Sequence, residues 1–420
     1  MHGRRGFTLL EIMIALTVSA IALTAAIAAA NAQQRAFYGS QKSRAAQNAG
    51  RSALLFLEQR LPRAGFGMDA SLALDFGWFC PTCQPDRTDD ADELVFYARD
   101  PAYWSPPQPE AAPAGHAWQL AATGSPVTAA DVTLRARAGD LFRRGQILQA
   151  VCPGEPRYAY FTVAQTTPQD GVPLTAPTDL TVPLEPVATA SPFHRQDVAV
   201  GGACFSLTAS PARVFLIDRY RLYVRPVDVG GGRFDPFLVL DTGTDVDGDD
   251  DVDLDDEILI AEGIEAFQVS YQFTNAALLA GETPGTAIAL NAGVAPAAAP
   301  ATTLDEITLT TFPGGTPPPG QTDYAPSSFY GYRFTTPPPA VRSTNHQANV
   351  RAVRISLVAR SPEPDPSASA NLTWAPGSRL FRMNQNARPA WVPVDGGYQR
   401  TVLDSAVSLP NMTVRAMTYF

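Results

Sequence analysis

Residues 6–30 read Gly6-Phe7-Thr8-Leu9-Leu10-Glu11-Ile12-Met13-Ile14-Ala15-Leu16-Thr17-Val18-Ser19-Ala20-Ile21-Ala22-Leu23-Thr24-Ala25-Ala26-Ile27-Ala28-Ala29-Ala30. From Phe7 to Ala30 this is a run of 24 residues with Glu11 as its only charge. As a helix it reaches about 36 Å, enough to cross a hydrocarbon core of about 30 Å. Arg4 and Arg5 precede it and no further base appears until Arg35, which keeps the N-terminus cytoplasmic and places the remainder outside. A secretory signal has the same basic start and apolar run, and the Ala25–Ala32 region supplies small residues for its cleavage. That reading leaves Glu11 unexplained, because a carboxylate within such a helix costs roughly 2.5–3.5 kcal/mol and calls for a partner.

The helix does not end at the membrane. No proline occurs from Asn31 to Leu61, and Ala49, Ala53, Phe56, Leu57 and Leu61 recur at helical spacing between Asn48, Arg51, Ser52 and Gln59. The spacing predicts one helix from Phe7 to Leu61, about 80 Å long, stopped by Pro62. Its apolar half is residues 7–35 and its amphipathic half residues 36–61.

Gly6-Phe7-Thr8-Leu9-Leu10-Glu11 resembles the cleavage site of type IV prepilins and pseudopilins. The resemblance implies a leader, residues 1–6, removed after Gly6 by a dedicated peptidase that methylates the new N-terminal Phe7. It also gives Glu11 a partner, the N-terminal amine of a neighbouring subunit, as a registry device for assembly. Residues 46–66, ending in Arg63-Ala64-Gly65-Phe66, are similar to the close of the helix in PilW-type minor pilins. Glu262–Tyr271, Arg351–Arg360 and Gly397–Asn411 are similar to later segments of the same family, so the likeness recurs along the chain.

Beyond Phe66 the pattern changes to short runs of β-branched and aromatic residues between turn formers. They are Glu93–Ala98, Gln146–Val151, Arg157–Val163, Arg213–Ile217, Tyr220–Val224, Phe237–Leu240, Ala266–Phe273, Val350–Ala359 and Arg400–Asp404. The expected fold is α+β and type IV pilin-like, with the helix laid across one antiparallel sheet of a single β-rich head, residues 62–420. Stretches 101–130, 275–304 and 311–340, rich in Ala, Pro, Gly and Thr, read as long surface loops with polyproline character.

Four cysteines follow the membrane segment. Outside the cytoplasm an even count argues for disulfides; Cys80–Cys83 as a short clip with Cys152–Cys204 as a longer staple is the favoured pairing among three. A four-thiolate zinc site competes, but it lacks a second closely spaced pair.

The formal net charge is −10. Loss of Arg4 and Arg5 with the leader makes it −12, and ten acids lie within residues 241–257, so the rest of the chain is nearly neutral. Lys42 is the sole lysine, and no basic patch suits nucleic acid. In the acidic run, a 12-residue calcium-loop frame starting at Asp245 places carboxylates at positions 1, 3, 5, 9 and 12: Asp245, Asp247, Asp249, Asp253 and Asp256. The carbonyl of Asp251 falls at position 7. Asp250 stands where glycine is usual, and Asp256, or Glu257 beside it, stands for the bidentate glutamate. A structural Ca²⁺ site is expected; the alternative is an unliganded, solvated acidic loop.

No nucleophile, zinc-protease or phosphate-loop template occurs, and His116, His194 and His346 are isolated, so an enzyme is not expected. The resemblance implies a minor pilin in a priming or tip complex of a type IV pilus. Its implied partners are other minor and major pilins, the prepilin peptidase, the inner-membrane assembly machinery and a tip adhesin, and its implied location is the inner membrane with a periplasmic head, then the pilus tip. A minor pseudopilin of a type II secretion system, or a calcium-dependent adhesin on an uncleaved anchor, are the other readings.

Overall fold

The computed structural model describes residues 8–68, 72–75, 92–100, 117–121, 127–128, 130–151, 158–186, 192–194, 212–273, 305–307, 350–364 and 398–413. Gly6, Phe7, the four cysteines and the loop stretches 275–304 and 311–340 lie outside these residues.

Helix α1 runs unbroken over Leu9–Arg60. It begins with a capping box: the Thr8 hydroxyl accepts from the Glu11 amide at 3.3 Å, and the Glu11 carboxylate accepts from the Thr8 amide at 2.9 Å. Within the apolar half, Thr17 and Thr24 turn their hydroxyls back onto carbonyls one turn earlier, at 2.9–3.0 Å, so neither needs an outside partner in lipid. Pro62 ends the α-helix as expected, and the chain tightens into one 3₁₀ turn, Leu61–Arg63. Gly65, at φ +77, then carries the chain to the sheet, where its amide donates to the Tyr97 carbonyl at 2.9 Å.

Ala46, Gly50, Ala53, Leu54 and Leu57 form the buried face of the second half. Ala53, Leu57 and Leu61 fall inside as their spacing predicts, whereas Ala49 and Phe56 are half-buried at the rim. Gly50 is a matter of space: a Cβ there would overlap Leu403 Cδ1 and approach the Ala359 Cβ at 3.2 Å.

The helix lies across one antiparallel sheet as expected, and a second, larger sheet extends the head. The head's described strands form two antiparallel sheets, and the helix packs on the smaller, of order β12-β11-β13-β14: Asp305–Ile307, Ile264–Phe273, Val350–Arg360 and Arg400–Ser408. It also touches β10 (Ile258–Glu262). The larger, ten-stranded sheet is organised around β8, Arg213–Asp228, a single 16-residue strand where the sequence suggests two. One edge of β8 pairs with β5 (Ile147–Val151) and then β9 (Phe234–Asp241); the other pairs with β3 (Trp118–Leu120) and then β2 (Leu94–Arg99). The remaining members are β1 (Leu74–Asp75), β4 (Asp131–Ala136), β6 (Tyr158–Thr162), β7 (Thr178–Pro183) and β10. Strand β3 lies inside the 101–130 stretch read as loop from its Ala and Pro content.

Residues 258–273 form two strands. Gly263, at φ +78, breaks them into β10 in the large sheet and β11 in the small one. A Cβ on Gly263 would stand 2.7 Å from the Arg360 carbonyl oxygen, so the crossover admits no side chain. Buried charges pin the same corner. Arg360 reaches Asp235 of β9 at 2.8 Å and Glu265 of β11 at 3.2 Å, and Arg400 of β14 reaches Glu265 at 2.6 Å.

β8 also lends residues to three cores, one of them through Phe215 and Ile217 beside Val95, Tyr97 and Ile147. Tyr220 and Leu222 belong to the core under the helix, with Leu57, Leu61, Phe96, Phe267 and Leu357. Val214, at the other end, belongs to an outer core with Trp118, Leu134, Phe142, Phe161 and Val182.

Candidate functional site

The acidic run forms the connection between β9 and β10, whose pairing begins at Leu240 opposite Ile258. Within it, Asp245, Asp247 and Asp249 bring carboxylate oxygens to within 4.8 Å of one another. Three like charges so close repel unless a cation lies among them, and an all-oxygen donor set suits a hard ion such as Ca²⁺.

The loop curls as the frame requires. Gly248 (φ +91) and Asp250 (φ +63) both take the left-handed conformation, and Asp250 is the residue at the usual glycine position. Aspartate tolerates that region better than most side chains, and here its carboxylate also accepts from the Thr166 amide at 2.8 Å.

Asp245 is fully buried. Burial pushes its carboxyl upward, but the Thr166 hydroxyl, the amides of Gly248 and Asp250, and nearby Arg143 together hold it below the usual range. The bonds from Thr166 and Gly248 are 2.7 and 2.6 Å. Asp256 is also buried and accepts from the amides of Val246, Asp247 (3.2 Å) and Asp253 (3.0 Å), closing the loop on itself.

The other acids do less. The Asp251 side chain is exposed and accepts from Val252, and Asp253 accepts from the Asp255 amide at 2.8 Å. Glu257, the alternative twelfth ligand, faces the sheet instead: its carboxylate takes the Tyr223 hydroxyl and Arg225 Nε. Burial there pushes Glu257 up to about 7.

Three residues that sequence reading missed support the loop from outside. Arg143 Nη1 donates to the carbonyls of Asp245 (2.9 Å) and Val246 (2.6 Å), Arg144 donates to that of Asp250, and Thr166 contacts both Asp245 and Asp250. The guanidinium groups hold main-chain oxygens, which leaves the clustered carboxylates of Asp247 and Asp249 to other partners. Gly145 allows the close approach, since a Cβ there would overlap the Gly243 carbonyl. No sequence signal links a turn at 143–145 to a loop a hundred residues later.

Glu11, the residue expected to act in assembly, lies at the start of α1, and its carboxylate bonds both the amide and the hydroxyl of Thr8. Residues 8–38 are exposed throughout and include a segment apolar and long enough to span a membrane. The proposed cleavage and methylation site, Gly6 and Phe7, and the proposed disulfide residues Cys80, Cys83, Cys152 and Cys204, lie outside the described residues.

Residues 1–27 match the family described as prokaryotic N-terminal methylation motif, and residues 319–411 match that described as Type IV Pilus-assembly protein W. The second match takes in β13 and β14, the strands on which the helix packs. No curated protein and no solved structure matches the chain. A long bare helix on an antiparallel β head, with the prepilin methylation motif at one end and a segment similar to pilus-assembly protein W near the other, is consistent with a PilW-type minor pilin.

Proposed function

We propose that this minor pilin, cleaved after Gly6 and methylated at Phe7, joins other minor pilins in the complex that primes filament assembly and then stands at the pilus tip. The observation that carries the reading is the division of the molecule. Half of α1 is bare and half is docked on the small sheet, while a second core, built on the far end of β8, extends the head beyond what the helix needs. A filament repeats its shaft subunit at every step, and an extended head of this kind is accommodated most simply where the repeat ends. The head is then periplasmic before assembly and faces the surroundings after it, next to a tip adhesin.

In this setting the 245–256 loop is a structural calcium site, with Asp245, Asp247 and Asp249 as the clustered carboxylates and Asp251, Asp253 and Asp256 as the other residues of the frame. Calcium supplies the positive charge that the cluster lacks and fixes the turn between β9 and β10.

Two experiments test this. Deletion of the gene should abolish surface pili and twitching, restored by the wild-type chain but not by a Gly6→Ala variant that blocks cleavage; loss of protein secretion with pili intact would assign the chain to a type II secretion system. Calorimetry on the detergent-solubilised full chain should show calcium binding, lost in an Asp245→Ala/Asp247→Ala variant. A wild-type chain that takes up no calcium at millimolar concentration would remove the metal from the proposal and leave the assembly role standing.

A further inference from the structure

Between the membrane-spanning part of α1 and its docked part stands a segment, Asn31–Gln41, of polar and small residues in which Phe37 and Tyr38 are the two large rings. Phe37 is 61% exposed and Tyr38 59% exposed, with ring centroids 6.3 Å apart in an edge-on contact. The described head leaves them uncovered. Its first hydrogen bond to the helix is from Lys42 Nζ to the Pro364 carbonyl at 2.6 Å, and the first buried helix residue is Ala46. Large aromatic rings left in water on such a helix segment ask for an environment that the described residues do not provide.

Position along the helix identifies it. Thr8 and Phe37 are separated by 29 residues of chain, about 44 Å at 1.5 Å per residue. A bilayer with both headgroup layers is about 40–45 Å thick. When the capping box of Thr8 and Glu11 lies in the inner headgroup layer, the apolar run crosses the hydrocarbon and Arg35, Phe37 and Tyr38 arrive in the outer headgroup layer. Aromatic rings with a polar edge are enriched at that depth, and an arginine beside them can extend its stem along the acyl boundary while its charge meets phosphate.

At about 100° per residue, Phe37 and Tyr38 lie about 200° and 300° around the helix from Arg35, so the three share one side of it within an arc of about 160°. Their common depth, one bilayer thickness from the capping box, is what points to the headgroup layer. We infer that Arg35, Phe37 and Tyr38 form an anchor in the outer headgroup layer of the membrane in which the chain resides before assembly. The anchor sets the depth of the helix and seats the head directly on the membrane surface, because docking begins one turn later at Lys42.

The inference rests on the reading of α1 as a membrane span, and the test separates the two. Full-length protein is reconstituted in phosphatidylethanolamine–phosphatidylglycerol vesicles containing lipid brominated either high on the acyl chain or near its end. Emission from Phe37→Trp, Tyr38→Trp and Val18→Trp variants is measured as the difference from wild type. The expected result is strong quenching of Val18→Trp by the deep bromines, and for the 37 and 38 variants blue-shifted emission quenched roughly twofold or more better by the shallow bromines than by the deep ones. Water-like, unquenched emission at both 37 and 38 with Val18→Trp still quenched would overturn the anchor and assign the aromatic pair to a neighbouring subunit. Val18→Trp unquenched by either lipid would reject the span itself, and the anchor with it.

Discussion

Thr166 is the residue whose role extends furthest beyond its own surroundings. Its hydroxyl and amide hold Asp245 and Asp250, the two acids that define the start and the bend of the calcium-loop frame. Thr166→Val keeps the shape and the amide but removes the hydroxyl donor. Calcium affinity should fall by about tenfold to a hundredfold by calorimetry, in line with losing one hydrogen bond to a charged group, about 1.5–3 kcal/mol. A second residue reports on pH. Asp218 is pushed up to about 6 by burial and then by Asp100, against the Tyr220 hydroxyl and the positive charges of Arg60 and Arg63. Its native form therefore binds a proton more tightly than the unfolded chain does, so folding gains stability as pH falls through 6 toward 4 and loses that contribution as pH rises. Asp218→Asn should flatten this part of the profile, an effect of about 2–3 kcal/mol, seen by comparing urea midpoints at pH 7.5 and pH 4.5 for the two proteins.

At the scale of elements, the helix and its bed are matched by absence of volume. Gly50 lies against Leu403 of β14 and Ala359 of β13. Gly50→Leu should destabilise the head by about 2 kcal/mol or more in denaturant unfolding, although leucine favours a helix by nearly 1 kcal/mol over glycine, because overpacking a filled interface outweighs propensity. The helix was legible in the sequence almost to the residue, since its length, periodicity and terminal proline all act locally. The strongly apolar strands around 94–99, 147–151, 264–273 and 350–360 were legible for the same reason. What escaped was set by distant contacts. The merger of two runs into β8 depends on four different neighbours, and the division at Gly263 depends on Arg360 from a strand about a hundred residues later. Strand β7, exposed along most of its length, carries little apolar signal and exists as an edge of β4. The acidic frame was readable from spacing, whereas Arg143, Arg144 and Thr166 reach it only through the fold.

For the whole molecule, the acidic loop is a fastening between cores. It leaves β9 and enters β10 beside the helix-bearing core, while the turns at 143–145 and 166 that grip it belong to the outer core's strands. Calcium should therefore stabilise the head as a whole: at a hundred times the dissociation constant, binding adds about 2.7 kcal/mol. Scanning calorimetry with calcium and then with chelator should show the unfolding of the head move down by a few degrees on metal removal, with the outer core affected along with the rest. The Asp245→Ala/Asp247→Ala variant should show no such difference.

The order of the strands along the chain has a consequence for biosynthesis. The apolar face of α1 from Ala46 to Leu57 is made early, yet the strands that cover it, β13 and β14, are made some three hundred residues later. Likewise β2, β3 and β5 emerge before β8, the strand against which all three pair. A nascent head therefore presents unpaired strand edges and an open helix face for most of its synthesis. Chains interrupted before residue 350 would carry the complete helix without the strands that cover its apolar face, a species that proteases can recognise.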